Sequence, residues 1–236
     1  MSTRSMLYKN TYTVNNFIDI KIPTVGEVID NEDVYYNLIS VLTAMPIDMM
    51  VQLDDIGIDF TQITEYELFI LMFETIKTQD VSLVFNNLDL KKFKLAEDKN
   101  TGAVVLTDGT NIIDHNTHTQ ISGVLRLIHH LEKDKRKPAN KEAKEFMLRR
   151  ARDKIKRARR KTQPSQIEGL IIAMVNTEQY KYDFEGTREL SIYQFNESVR
   201  QIINKVDYDN RMIGVYTGNI NTKELSQQDF NWLIPK

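Results

Sequence analysis

The apolar residues of this chain are densest between positions 20 and 73, where the boundaries of the predicted elements are also clearest. Apolar and polar residues alternate over residues 17–22, which predicts a half-buried strand after a loose N-terminal arm. Helical spacing of apolar residues begins after Asn31, a candidate N-cap, and predicts a helix that ends before Pro46. Because proline suits the first turn of a helix, Pro46 also predicts the start of a second, short helix that ends at Gly57.

A third helix is predicted to begin after Thr64. Thr64 and Glu67 have the spacing of a capping box, and a run of apolar residues follows them. The run is apolar nearly all round the helix, a pattern typical of a helix that is buried on more than one side. We therefore expect this helix to be the centre of the core.

After residue 80 the pattern changes to short apolar runs separated by turn-forming residues. The pair Asp108-Gly109 is the clearest tight-turn signal among them. The runs lie at residues 81–85, 93–95, 103–106 and 112–113. Together they predict a small antiparallel sheet inserted between helices.

The second half of the chain returns to helical spacing. A helix predicted over residues 117–131 is followed by the charged segment 133–140, which Pro138 interrupts and which we expect to be an exposed hinge. Residues 141–161 predict a long helix with a strongly basic surface and a narrow apolar stripe formed by Ala143, Phe146, Met147, Ala151, Ile155 and Ala158. Further apolar helices are predicted over residues 167–175 and 190–206.

These elements predict an α+β fold with a predominantly helical body, a small antiparallel β insertion and a long basic helix. The predicted organisation has four parts. They are an N-terminal helical segment (1–79), a β-rich insertion (80–114), a helix with the basic arm (115–161) and a C-terminal helical segment (162–236) that packs on the N-terminal one.

The net charge of −2 conceals a strong asymmetry along the 236 residues. Residues 133–161 contain fifteen Lys or Arg and four Asp or Glu, a local charge of +11, and the remainder has a charge of −13. An acidic body that carries a basic arm is suited to contact an acidic surface. No apolar run is long enough to cross a membrane, the N-terminus lacks the apolar run of a signal peptide, and the absence of cysteine excludes disulfides.

Motifs for catalysis, metals or cofactors are not evident in the sequence. His115 and His118 stand beside a predicted turn with the spacing of a loop, and neither a zinc-helix motif nor a phosphate-binding glycine loop occurs. A serine elbow and a cysteine nucleophile are also missing. We therefore expect a protein that is not an enzyme and that has no metal site and no cofactor.

The basic helix is the strongest candidate for a functional site. Its partner-binding candidates share a positive charge and surround the helix on three sides: Arg149, Arg150, Arg152, Lys154, Lys156, Arg157, Arg159, Arg160 and Lys161. Like charges four residues apart weaken an isolated helix, so an acidic surface is expected to lie against this one. Three hypotheses remain open: docking on the chain's own acidic body, contact with an acidic protein partner, and binding to nucleic acid through counterion release.

Three segments carry a resemblance to a known group of proteins. They are IPTVGEVIDNEDVYYNLISVLTAMPIDMMVQLDDIGIDF near the start, KEFMLRRARDKIKRARR in the basic helix, and LSIYQFNESVRQIINKVDYDNRMIGVYTGNINTKELSQQDFNWL near the end. In these segments the chain resembles proteins encoded in the tail-gene regions of phages and prophages of Gram-positive bacteria. The resemblance covers most of the chain and brings no site motif with it.

The resemblance implies a non-enzymatic component of a phage tail or baseplate, or a chaperone for its assembly. The implied partners are other tail or baseplate proteins, bound through an acidic surface, with a homo-oligomer as a further option. The implied location is the host cytoplasm during assembly, or the virion. The alternative from a different class is a nucleic-acid-binding protein that uses the basic helix 141–161.

Overall fold

The computed structural model describes residues 6–98, 101–158 and 165–233. In this part of the chain the fold is α+β, as predicted, and it combines helices with two small antiparallel sheets. The strands are β1 (Thr11–Asn15), β2 (Ile18–Lys21), β3 (Lys94–Glu97), β4 (Val104–Thr107) and β5 (Ile112–Ile113). The helices are α1 (Val25–Asp30), α2 (Glu32–Leu42), α3 (Met50–Asp55), α4 (Glu65–Ile76), α5 (His115–His129), α6 (Lys141–Ala158), α7 (Gln166–Val175), α8 (Phe184–Glu189) and α9 (Ile192–Tyr216).

Helix α4 is the central helix of the core, and its predicted capping box is present. The Thr64 side chain accepts a hydrogen bond from the Glu67 amide at 3.2 Å, and the Glu67 carboxylate accepts one from the Thr64 amide at 2.7 Å. One side of α4 buries Phe69 and Phe73 in the main hydrophobic cluster. Another side buries Leu68 in a second, smaller cluster. The prediction of burial on more than one side is therefore confirmed.

The main cluster joins residues from both ends of the chain. Ile18 and Ile20 of β2 lie in it together with Ile192 and Phe195 of α9, and all four are fully buried. Backbone hydrogen bonds also connect the two ends, since the Val25 amide donates to the Leu190 carbonyl at 2.8 Å. The N-terminal hairpin and the C-terminal helices thus share one core.

The three-stranded sheet β3-β4-β5 is antiparallel throughout. The Tyr66 hydroxyl of α4 donates to the carbonyls of Val104 at 3.1 Å and Ile113 at 2.9 Å, which ties the sheet to the central helix. Leu106 and Ile113 are fully buried in the main cluster. The inner face of the sheet therefore belongs to the same core as the helical body.

The predicted strand over residues 81–85 is wrong. Val81 and Val84 instead lie in a turn, in which the Val84 amide donates to the Val81 carbonyl at 2.9 Å, and only Phe85 makes a β-bridge, with Ile20. Both valines are buried in the main cluster. A short apolar run reports burial but does not by itself distinguish a strand from a tight turn.

Two further elements and one helix end also differ from the predictions. Residues 11–15 are not a loose arm, because β1 pairs with β2 as a hairpin. A short helix, α1, occupies the predicted turn after Pro23, and its N-cap Thr24 forms a capping box with Glu27. Helix α9 continues to Tyr216, ten residues past the predicted end at Val206.

Replacing Phe73 should test the central role of α4. Phe73→Ala is expected to lower the free energy of unfolding by about 3–5 kcal/mol, because it removes a fully buried aromatic side chain and leaves a cavity. Leu71→Ala, on the same helix at a side chain that is 50% exposed, should cost less than about 1 kcal/mol. Denaturant unfolding followed by circular dichroism measures both, and equal losses would contradict the assignment.

Candidate functional site

The basic helix α6 packs against α3 through one face. Leu148 is the residue of α6 that is buried there, and it joins Leu53 and Phe60 in the second cluster. Met147 packs against the edge of the same cluster. The contact is therefore apolar at its centre.

Two cations of α6 pair with the acidic residues around α3. The Lys144 ammonium lies 2.8 Å from the Asp59 carboxylate, and the Arg152 guanidinium lies 2.9 Å from Asp54 and 2.5 Å from Asp55. The hydrogen bond from Lys144, with others from Thr61, lowers the pKa of Asp59 to about 2. The hypothesis that the basic helix docks on the acidic body is thus realised on one face of α6. Of the six predicted cations that the structure describes, Arg152 takes part in this docking.

Most of the other predicted cations do not pair with the body. Their side chains are exposed, and none of them makes an ion pair with another residue in the described part of the chain: Arg149, Arg150, Lys154, Lys156 and Arg157. The remaining three predicted residues, Arg159, Arg160 and Lys161, lie outside the described residues. Helix α6 therefore has a paired inner face and a positively charged outer surface.

A groove of about 790 Å³ runs between α6 and the residues that lead into α3. One wall is apolar and is formed by Ile47, Met50 and Val51, which face Met147 and Ile155 of α6. We call this feature, with the further lining residues Asp48, Asp134, Arg136, Phe146, Arg150, Ala151, Asp153, Lys154, Arg157 and Ala158, the α3–α6 groove.

Phe146 and three cations of α6 form a row along the groove. Phe146 is 51% exposed, and the Arg150 guanidinium lies 5.6 Å from the centre of its ring. Lys154 and Arg157 continue the row at helical spacing. Arg149 and Lys156 do not line the groove, because they project from the other flank of α6.

The charges in the groove are mixed. Asp134 is paired with Arg136 at 2.5 Å, and the Asp48 carboxylate accepts a hydrogen bond from the Met45 amide at 2.9 Å. Arg150, Lys154 and Arg157 have no such partner among the described residues. The groove thus combines an apolar wall with unpaired positive charge, an arrangement that favours a ligand with an apolar side and carboxylates.

Residues 159–234 match the family model of the YomV second domain. This family is phage-associated and is known from a Bacillus prophage, and the match therefore supports a phage protein. The matched residues include α7, α8 and α9 and begin immediately after the described part of α6. Comparisons with curated proteins and with solved structures give no match.

The sequence misplaced the inner face of α6. The apolar stripe expected along this helix included Phe146 and omitted Leu148, whereas Leu148 is buried and Phe146 is exposed. A signal for the true face is present, because Lys144, Leu148 and Ile155 recur at helical spacing. The opposite wall of the groove gives no such signal, since it comes from residues about a hundred positions earlier.

His115 and His118 lie in α5 and not in a loop. His118 is buried and stacks on Phe69 with ring centres 4.6 Å apart, and the His129 imidazole hydrogen-bonds the Tyr35 hydroxyl at 2.9 Å. Burial lowers the pKa of both His118 and His129 to about 4. Within the described residues no group of three or more His, Asp or Glu side chains is arranged to hold a metal ion. Nor is any described helix long and apolar enough to span a bilayer.

Apolar contact, rather than ion pairing, should hold α6 in place. Leu148→Ala is expected to cost about 2–4 kcal/mol of stability through cavity formation, whereas Arg152→Ala should cost clearly less because its ion pairs are exposed to solvent. Hydrogen exchange of α6 amides, with denaturant unfolding, measures the effect. A larger loss for Arg152→Ala than for Leu148→Ala would show that ion pairs dominate.

The buried histidines should make the fold sensitive to acid. Because the pKa values of His118 and His129 in the folded state lie below the ordinary value of 6.5, the unfolded chain binds more protons between pH 6.5 and about 4. Stability should be full above pH 6.5 and fall as the pH drops to about 4. His118→Phe should reduce the slope of the free energy of unfolding against pH. The value that each protein has at pH 8 serves as its own reference. An unchanged slope would contradict the assignment.

Proposed function

We propose that this phage protein is a non-enzymatic docking protein of the tail or baseplate, either as a structural component or as an assembly factor. Its α3–α6 groove binds an acidic, amphipathic segment of a partner phage protein. The resemblance to proteins of tail-gene regions supports the place of action, and the phage-associated family match supports the broader assignment. The single observation that carries the docking role is the row of unpaired cations and the exposed Phe146 ring beside the apolar wall of the groove.

The partner's chemistry follows from the composition of the groove. A helix with apolar residues at positions i, i+3, i+4 and i+7 would place them against Ile47, Met50 and Val51. Carboxylates along its side would meet Arg150, Lys154 and Arg157. Burial of the apolar residues supplies affinity, and the charge pairs set the orientation.

A protein partner is favoured over nucleic acid by two features of the groove. Its apolar wall consists of aliphatic and methionine side chains, and Phe146 adds one aromatic ring, whereas unpaired bases stack on several aromatic side chains in succession. Asp48 and Asp153 also line it, and their carboxylates would repel a continuous phosphate backbone. In a protein ligand, by contrast, such charges can be matched one by one.

The experiment uses a fluorescent peptide of leucine and glutamate with amphipathic helical spacing, and a DNA duplex of similar length. Fluorescence polarisation should show that the full chain binds the peptide. The double variant Arg150→Glu/Arg157→Glu should weaken binding at least about tenfold. The matched control Arg149→Glu/Lys156→Glu makes the same change in charge at the same spacing on the other flank. It should weaken binding far less.

Two outcomes would contradict this assignment. Equal losses in the two double variants would show that the net charge of α6, and not the groove, attracts the peptide. Tighter binding to DNA with a steep dependence on salt would favour the nucleic-acid alternative. Mass spectrometry of purified phage particles then separates a virion component, which is present, from an assembly factor, which is absent.

A further inference from the structure

Residues 178–189, which include α8, present aromatic rings and carboxylates at the surface. They hold four Asp or Glu and two Lys or Arg, a local charge of −2. Tyr182 is 45% exposed and Phe184 is 51% exposed. Glu185 and Glu189 are also exposed, and neither makes an ion pair with another described residue. We call residues 178–189 the acidic segment.

The fold holds the acidic segment in one conformation. Tyr180 is buried, and its hydroxyl lies 3.1 Å from the Thr187 hydroxyl. The Tyr180 ring meets Phe195 of the main cluster edge to face, with ring centres 6.4 Å apart. The Asp183 carboxylate caps α8 by accepting a hydrogen bond from the Gly186 amide at 2.7 Å. A segment that is already ordered loses little conformational freedom when it binds.

The acidic segment matches the α3–α6 groove in charge. Glu185 and Glu189 lie one turn apart on α8, on the side opposite the buried Thr187. Arg150 and Lys154, two of the unpaired cations of the groove, lie one turn apart on α6. Two carboxylates and two cations at the same spacing can therefore pair across a contact.

The two surfaces also match in their apolar side chains. The groove, of about 790 Å³, offers Ile47 and Met50 together with the exposed ring of Phe146. Methionine adapts to irregular surfaces and makes favourable contacts with aromatic rings. Burial of the rings of Tyr182 and Phe184 in the groove would supply the apolar part of the contact.

The acidic segment and the groove are separate surfaces of one molecule, since no residue of the acidic segment lines the groove. A contact between two different patches leaves one groove and one acidic segment free on each pair, so that further copies can join. The net charge of −2 produces little general repulsion between copies.

We infer that copies of this protein associate head to tail, with the acidic segment of one copy in the α3–α6 groove of the next. The inference rests on the proposed function, because it uses the same groove and names a second copy of this chain as the partner.

Light scattering coupled to size exclusion tests the association on the full chain. The molar mass should exceed that of one chain and rise with concentration, because association follows mass action. Higher salt should lower the molar mass, because the charge pairs are screened. The leucine and glutamate peptide should lower it too, because it occupies the groove.

Two double variants test the two sides of the contact. Arg150→Glu/Arg157→Glu changes the groove, and Glu185→Lys/Glu189→Lys changes the acidic segment. Each should raise the Kd of self-association at least about tenfold, because like charges then face each other. Mixing the two variants should restore a complex, because the intact groove of one accepts the intact acidic segment of the other.

The matched control is Arg149→Glu/Lys156→Glu, which changes the charge of α6 by the same amount on its other flank. It should associate as the parent chain does. All of the substituted side chains are exposed, and circular dichroism checks that each variant folds.

A parent chain that stays a monomer at every concentration would overturn the inference. If that monomer binds the leucine and glutamate peptide, the groove serves a different protein and the proposed function stands. If it does not bind the peptide, both proposals fail. Association that is unchanged in Glu185→Lys/Glu189→Lys would also overturn the inference, because another surface would then form the contact.

Discussion

The burial of α4 on two sides is the constraint on which the rest of this structure depends. Phe69 and Phe73 close the main cluster, to which the N-terminal hairpin, the small sheet and the C-terminal helices all contribute. Leu68 and Met72 reach the second cluster, which holds α3 and, through Leu148, α6. A helix that is apolar on both sides can join two clusters, and here no other described helix or strand contributes to both. The position of the basic helix is thus a consequence of core packing.

Electrostatics alone would not produce the observed arrangement of α6. In the described part of the chain, the acidic residues that pair with it, Asp54, Asp55 and Asp59, neutralise only Lys144 and Arg152. Exposed pairs of this kind contribute little to stability, because water and salt screen them. Leu148 therefore fixes the helix, the ion pairs set its orientation, and the remaining cations stay available on the outside.

The sequence was most informative where one element carries its own pattern. The capping box at Thr64 and the apolar run behind it predicted α4 and its double burial. The α+β class followed from the same kind of local signal. The run at residues 81–85 failed, because burial of Val81 and Val84 in a turn leaves the same apolar signature as a strand. The candidate site was only half predictable. Its cations stand out as a charge run, whereas its apolar wall belongs to residues 47–51, which no pattern within α6 could indicate.

The segment between α5 and α6 has no helix or strand, but hydrogen bonds hold its first residues in place beside the groove. Glu65 at the start of α4 accepts hydrogen bonds from Arg126 of α5 at 3.1 Å and from Lys133 at 2.7 Å. Arg126, which is almost fully buried, also donates to the Thr43 carbonyl next to the second cluster. These bonds hold the first residues after α5 against α4, so that Asp134 and Arg136 reach the groove from a fixed point. Because a buried arginine is costly unless its donors are satisfied, this network keeps α4, α5 and the groove in one arrangement.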